Sequence, residues 1–154
     1  MFNEIFKQFP NLHPLFVHFP IALLVAAVAA QLSVLFFPKN TNLKWLTFLL
    51  LLGGCIGALI AVQTAVHVSG DADDKAIELF ESHRLFGLLT FWFSLAATLL
   101  RFVTIKWFRK KFLEIVLAIL ILTTGIFVTI TGHHGAQLVY NYNVGPQGNN
   151  VMSK

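Results

Sequence analysis

Apolar residues run along this chain in four long stretches, about 16–37, 43–67, 83–103 and 112–132, separated by short polar breaks. Each stretch is long enough to cross roughly 30 Å of hydrocarbon as a helix of about 20 residues. Four spans joined by short connections predict an all-α integral membrane four-helix bundle, up-down-up-down, with both termini on one side. Before the first span, Phe2, Ile5, Phe6 and Phe9 fall at helical spacing among polar residues, which predicts an interfacial lead over 1–12. After the last span, Tyr140 and Tyr142 suit an interfacial belt, and the tail over 145–154 is rich in Gly and Asn. Little chain is left over, so residues 1–154 read as one membrane domain.

Composition agrees with the pattern. The chain is 56% hydrophobic and 12% charged with a mean hydropathy of +0.74, outside the range of ordinary soluble domains. The first stretch is too long for the apolar part of a signal peptide and only Lys7 precedes it as a base, so it is expected to remain in the mature protein.

Charge predicts the orientation. Lys39 and Lys44 lie between the first and second spans, and Arg101, Lys106, Arg109, Lys110 and Lys111 between the third and fourth. The opposite side carries Lys7, Lys75, Arg84 and Lys154 and every acidic residue except Glu114. Seven bases against four place the basic loops in the cytoplasm and both termini outside, across a bacterial inner membrane. The net charge of +4 is then a matter of topology and needs no nucleic acid.

The histidines carry the candidate chemistry. His13 and His18 open the first span, His67 closes the second, His83 opens the third, and His133 and His134 close the fourth. All six therefore gather at one end of the bundle. Ionisable groups at membrane depth are functional candidates by default, and imidazole ligates haem iron, zinc and copper. Pro20 lies six residues after Pro14 and predicts either a kink or a short turn ending near His18. Arg84, next to His83, is placed either to hold a haem propionate or to pair with Glu78 or Glu81. Small residues in AAVAA and in GGCIG allow close helix packing and equally leave room for a flat macrocycle. Gln63 and Thr64 are candidates to pair with a neighbouring polar group or to meet a quinone carbonyl. In the acidic loop, Asp71, Asp73 and Asp74 suit the start of a short helix, while DADD lacks the glycine and distal glutamate of a calcium loop. Gly132 and Gly135 bracket the last two histidines and suit a left-handed helix end there.

Several chemistries are excluded. The single Cys55 forms no internal disulfide, and no CxxCH motif is present, so a haem would be held without thioether bonds. No HExxH metalloprotease spacing occurs, and Met1 and Met152 give no thioether path for copper(I). Ser69, Ser82 and Ser94 lie in no Gly-x-Ser-x-Gly turn, and no phosphate-binding glycine loop is present.

The box Leu12-His13-Pro14-x-x-Val17-His18-Phe19-Pro20-Ile21-Ala22-Leu23 resembles the signature of the domain of unknown function 2231 family of small four-helix membrane proteins. Ser69-Gly70-Asp71, His83-Arg84-Leu85-x-Gly87 and Thr131-Gly132-His133-x-Gly135-x-x-Leu138-Val139-Tyr140 extend the likeness over nearly the whole chain. The resemblance carries over His13, His18, His83 and His133, but not His67 or His134. Where members show Gly-Gly before the Leu-Val-Tyr element, this chain has Gly135-Ala136-Gln137. Relatives of this type occur fused to cytochrome c-like or Rieske-like domains, which implies respiratory electron transfer by association.

The sequence expectation is therefore haem b near the outer face, with His18 and either His83 or His133 as axial ligands and His13 in support. Electrons would pass to or from membrane quinone, a periplasmic cytochrome or a Rieske-type protein. The alternatives are an outward-facing zinc or copper site built on the same histidines, and a non-catalytic anchor subunit of a redox complex. A homo-oligomer is compatible with each.

Overall fold

The computed structural model describes residues 13–65, 68, 72–107 and 110–144. The lead over 1–12, His67 and the tail from Gly145 lie outside the described residues. Four helices follow in order: α1 His13–Phe36, α2 Thr41–Thr64, α3 Asp74–Lys106 and α4 Lys111–Tyr142. Each is long and apolar enough to cross a membrane. Neighbours pack in a ring, α1 on α2, α2 on α3, α3 on α4 and α4 on α1, with α1 and α3 across one diagonal. The four-helix expectation holds.

The helix ends are chemically marked. Asn40 accepts a bond from the Leu43 N–H at 3.2 Å, and Asp73 accepts one from the Lys75 N–H at 2.8 Å. The predicted short acidic helix is thus the first part of α3. α1 runs through Pro20 and does not stop at His18. α4 runs past Gly132 and Gly135; its left-handed stop is Asn143 (φ 53°), after which the Val144 N–H bonds the Leu138 carbonyl at 3.0 Å. α3 and α4, at 33 and 32 residues, span about 50 Å each at 1.5 Å per residue and overshoot the other pair. Their extra turns hold each other through a small apolar cluster of Val68, Ala76, Leu138 and Val144.

Polarity is inverted relative to a soluble bundle. Large apolar residues such as Leu49, Ile119, Ile126 and Leu99 are exposed, as lipid-facing side chains are. Ala, Ser and Thr are frequent inside, with Thr90, Ser94, Thr98 and Thr124 buried. Their hydroxyls return to carbonyls of the preceding turn, Thr98 to Ser94 at 2.7 Å and Thr124 to Leu120 at 2.8 Å, so none needs a partner across the bundle. Buried Cys55 packs here as expected and meets Ser94. The α1–α2 crossing depends on absent side chains. A Cβ on Gly57 would stand 3.0 Å from Pro20 Cδ, and one on Gly54 would stand 2.6 Å from Leu24 Cδ2.

One reading of the charges requires correction. Arg101 is not a loop base. It lies within α3 and is fully buried. Its guanidinium bonds both Glu114 oxygens, at 3.0 and 3.2 Å, and also Gln31 Oε1. Lys44 Nζ reaches the same carboxylate at 2.9 Å. Gln31, Lys44, Arg101 and Glu114 come from α1, α2, α3 and α4 in turn, so one polar cluster ties every helix. A charge lost to lipid costs far more than one paired in the bundle interior, which is why Arg101 turns inward.

Two outcomes follow for thermal unfolding in detergent. Gly57→Ala should lower stability by about 1–3 kcal/mol through overpacking against a rigid proline. Gly87→Ala, whose new Cβ meets nothing closer than 3.8 Å, should be neutral or stabilising; equal losses at both sites would refute the packing account. Glu114→Gln leaves two cations without their carboxylate and should cost about 3–5 kcal/mol. Arg101→Met leaves the Lys44–Glu114 pair whole and should cost clearly less, and the reverse order would show that the cluster is not held by charge.

Candidate histidine site

At the opposite end of the bundle, α1 and α3 meet again across the diagonal. His13 is the first residue of α1, and the final turn of α2 offers carbonyls that lack helical partners. The His13 Nδ1–H donates to one of these, Ala61 O, at 2.9 Å, with Thr64 Oγ1 at 3.4 Å. On α3, the His83 Nδ1–H donates to Thr131 O of α4 at 2.9 Å. That approach needs Gly135, because a Cβ there would stand 3.2 Å from His83 Cε1. The rings are 6.1 Å apart between centroids and inclined at 83°.

A carbonyl can only accept, so both Nδ1 atoms carry the proton and each neutral ring keeps a lone pair on Nε2. Metal-bound histidines are oriented in this way. Half the ring separation, about 3 Å, is a metal–nitrogen bond of about 2.0–2.1 Å plus the distance from that nitrogen to the ring centre. Burial holds the His13 imidazole below its ordinary range, partly offset by the bond to Ala61, so the neutral form is favoured.

The other candidates lie around this pair. His134 is half-buried, edge-on to Phe86 at 5.8 Å, and within electrostatic reach of His83. Its buried Nδ1 has no partner among the described residues. His133 is exposed, with its ring 6.4 Å from that of His134, and His18 is exposed on α1. Arg84 is exposed and pairs with Glu81 at 3.1 Å. Exposed pairs of this kind contribute little, about 0–1 kcal/mol, so Arg84 is easily released. Gln63 is exposed, and Thr64 donates to Ile60 O at 2.9 Å. Among the described residues no group of three or more His, Cys, Asp or Glu side chains stands close enough to hold an ion by itself.

The structure thus brings together His13 and His83, whereas the sequence places His13 in a supporting role. The signal was available: residues 13 and 18 are five apart, about 140° around a helix, so both cannot face one axis. Sequence reasoning also missed the Gln31–Lys44–Arg101–Glu114 cluster. Its trace was Glu114, the one acidic residue on the basic side, and a glutamine inside the first span.

No curated protein and no solved structure matches the chain. A family model does, over residues 10–148, described as a predicted membrane protein, DUF2231. This match spans all four helices, both members of the histidine pair and the buried ionic cluster. The chain belongs to the DUF2231 family of membrane proteins.

Proposed function

We propose that the chain is a membrane b-type haem protein that transfers electrons near one face of the bilayer, with His13 and His83 as the axial ligands. The observation that carries this reading is the diagonal pair of imidazoles, each with Nδ1 tied to a backbone carbonyl of a neighbouring helix and the two ring centroids 6.1 Å apart. Haem iron needs only two ligands from the protein, because the macrocycle supplies the other four. Zinc and copper sites take three or four protein ligands, and the described residues offer no such group. Gly135 leaves room for the His83 ring against α4. The haem would supply a one-electron couple. The protein would hold it, exclude water with apolar walls, and set its potential through the imidazoles and their carbonyl partners. Arg84, freed from Glu81, would face a propionate.

The histidine end is placed outside by the positive-inside rule. Without Arg101 and Lys44, which are paired inside, the bases number five against four, with Arg109, Lys110 and Lys111 concentrated at the α3–α4 turn. Membrane quinone, a periplasmic cytochrome or a Rieske-type protein is the exchange partner. A second reading, zinc or copper on His13 and His83 with His134 as a third ligand, is favoured by one observation: the buried His134 Nδ1, without a partner among the described residues. It requires the His134 ring to move towards the pair.

Visible spectra of the detergent-purified protein, oxidised and dithionite-reduced, distinguish the two. The expected result is a b-type haemochrome that His13→Ala and His83→Ala each abolish and that His18→Ala and His133→Ala retain. A colourless protein after expression with ample haem would overturn the haem reading. Elemental analysis showing zinc or copper lost in His134→Ala would then establish the second.

A further inference from the structure

The ionic cluster at the other end opens onto a cleft of about 560 Å³. Its lining comes from the end of α1, the first turns of α2 and α4 and the last turn of α3. Lys39 and Lys111 stand at its mouth, Lys44 and Glu114 line its inner part, and the exposed Leu35 and Ile115 lie along its wall. The charges do not balance. Lys44 and Arg101, with side chains 12% and 0% exposed, share one carboxylate, that of Glu114. Lys39 and Lys111 are exposed and form no ion pair among the described residues. Three positive charges are therefore uncompensated at the rim of a membrane domain, one of them buried, where an unpaired cation is costly. The buried Arg101 Nε and Gln31 Nε2 also have no acceptor among the described residues. The first turns of α2 and α4, beginning at Thr41 and Lys111, end at the same cleft with their positive dipole ends.

We propose that this cleft binds an acidic phospholipid, its phosphate between Lys39, Lys44 and Lys111 and an acyl chain along Leu35 and Ile115. The ligand class follows from the combination: cations deep and at the mouth call for an anion, and apolar walls leading to lipid-exposed Leu35 and Ile115 call for a hydrocarbon tail. A soluble anion would use the first feature and leave the second idle. The inference is independent of the histidine site.

The test is lipid binding to the purified full chain, followed by native mass spectrometry and by thermal unfolding in neutral detergent. Phosphatidylglycerol should bind and raise the melting temperature, and phosphatidylcholine should do neither. Lys39→Gln with Lys111→Gln should weaken phosphatidylglycerol binding on the order of 30-fold, from two surface lysines at the usual strength per charge. Lys75→Gln, at the far end, should leave it unchanged. Ile115→Trp fills the tail track with every cation kept and should also weaken binding. Equal binding of phosphatidylcholine, an unaffected double variant, or equal protection by inorganic phosphate alone would each overturn the lipid assignment.

Discussion

The buried guanidinium of Arg101 organises this bundle. Helices in lipid gain little from burying apolar surface against one another, since the surrounding tails are as apolar as leucine. Alignment therefore has to come from contacts that lipid cannot replace. Arg101 supplies these by bonding Glu114 of α4 and Gln31 of α1, while Lys44 of α2 shares the carboxylate. A slip of α2, α3 or α4 by a turn would part a charge from its partner, and a slip of α1 would take Gln31 from Arg101. The value of such a cluster is specificity more than net stability, because desolvation offsets much of the attraction between buried charges.

The same cluster accounts for the level placement of the histidines. Gln31 lies 18 residues after His13, and Arg101 lies 18 residues after His83. Eighteen residues make five full helical turns, so on each helix the two polar residues share one face. The rise over that interval is about 27 Å, close to the thickness of a hydrocarbon core. Between the two levels the four helices carry no Asp, Glu or Lys, and their only Arg is Arg84 at the histidine boundary. The bundle is thus a hydrocarbon-length barrel with a diagonal α1–α3 contact at either end: Gln31 with Arg101, and His13 with His83.

Much of this was legible in the sequence. Four spans, their order and the gathering of histidines at one end follow from hydropathy alone. The family box is legible too, and its geometry now has a reason. His13 and Pro20 are seven residues apart and share a face; Pro20 is buried against Gly57, while His18 between them turns outward. The ends of α3 and α4 were not legible. Residues 74–82 and 133–142 are too polar to register as membrane spans, and they stay helical because Leu138 and Val144 pack on Ala76 and Val68, residues distant in sequence. Arg101 was counted with the loop bases although the third apolar stretch contains it. A charge near a span end is recognised as interior only when its partner is known, and that partner lies 13 residues away on the next helix.

The two diagonal contacts constrain each other. α1 and α3 are not packed neighbours, so nothing along their length sets their relative height except what α2 and α4 transmit. Gly57 lets α2 lie directly against α1 at Pro20, and Gly135 lets α4 lie directly against His83. The carbonyls that orient the imidazoles, Ala61 and Thr131, belong to these same intermediary helices. Each histidine is therefore held by a helix adjacent to its own, and both of those helices are anchored at the far end by Lys44 and Glu114.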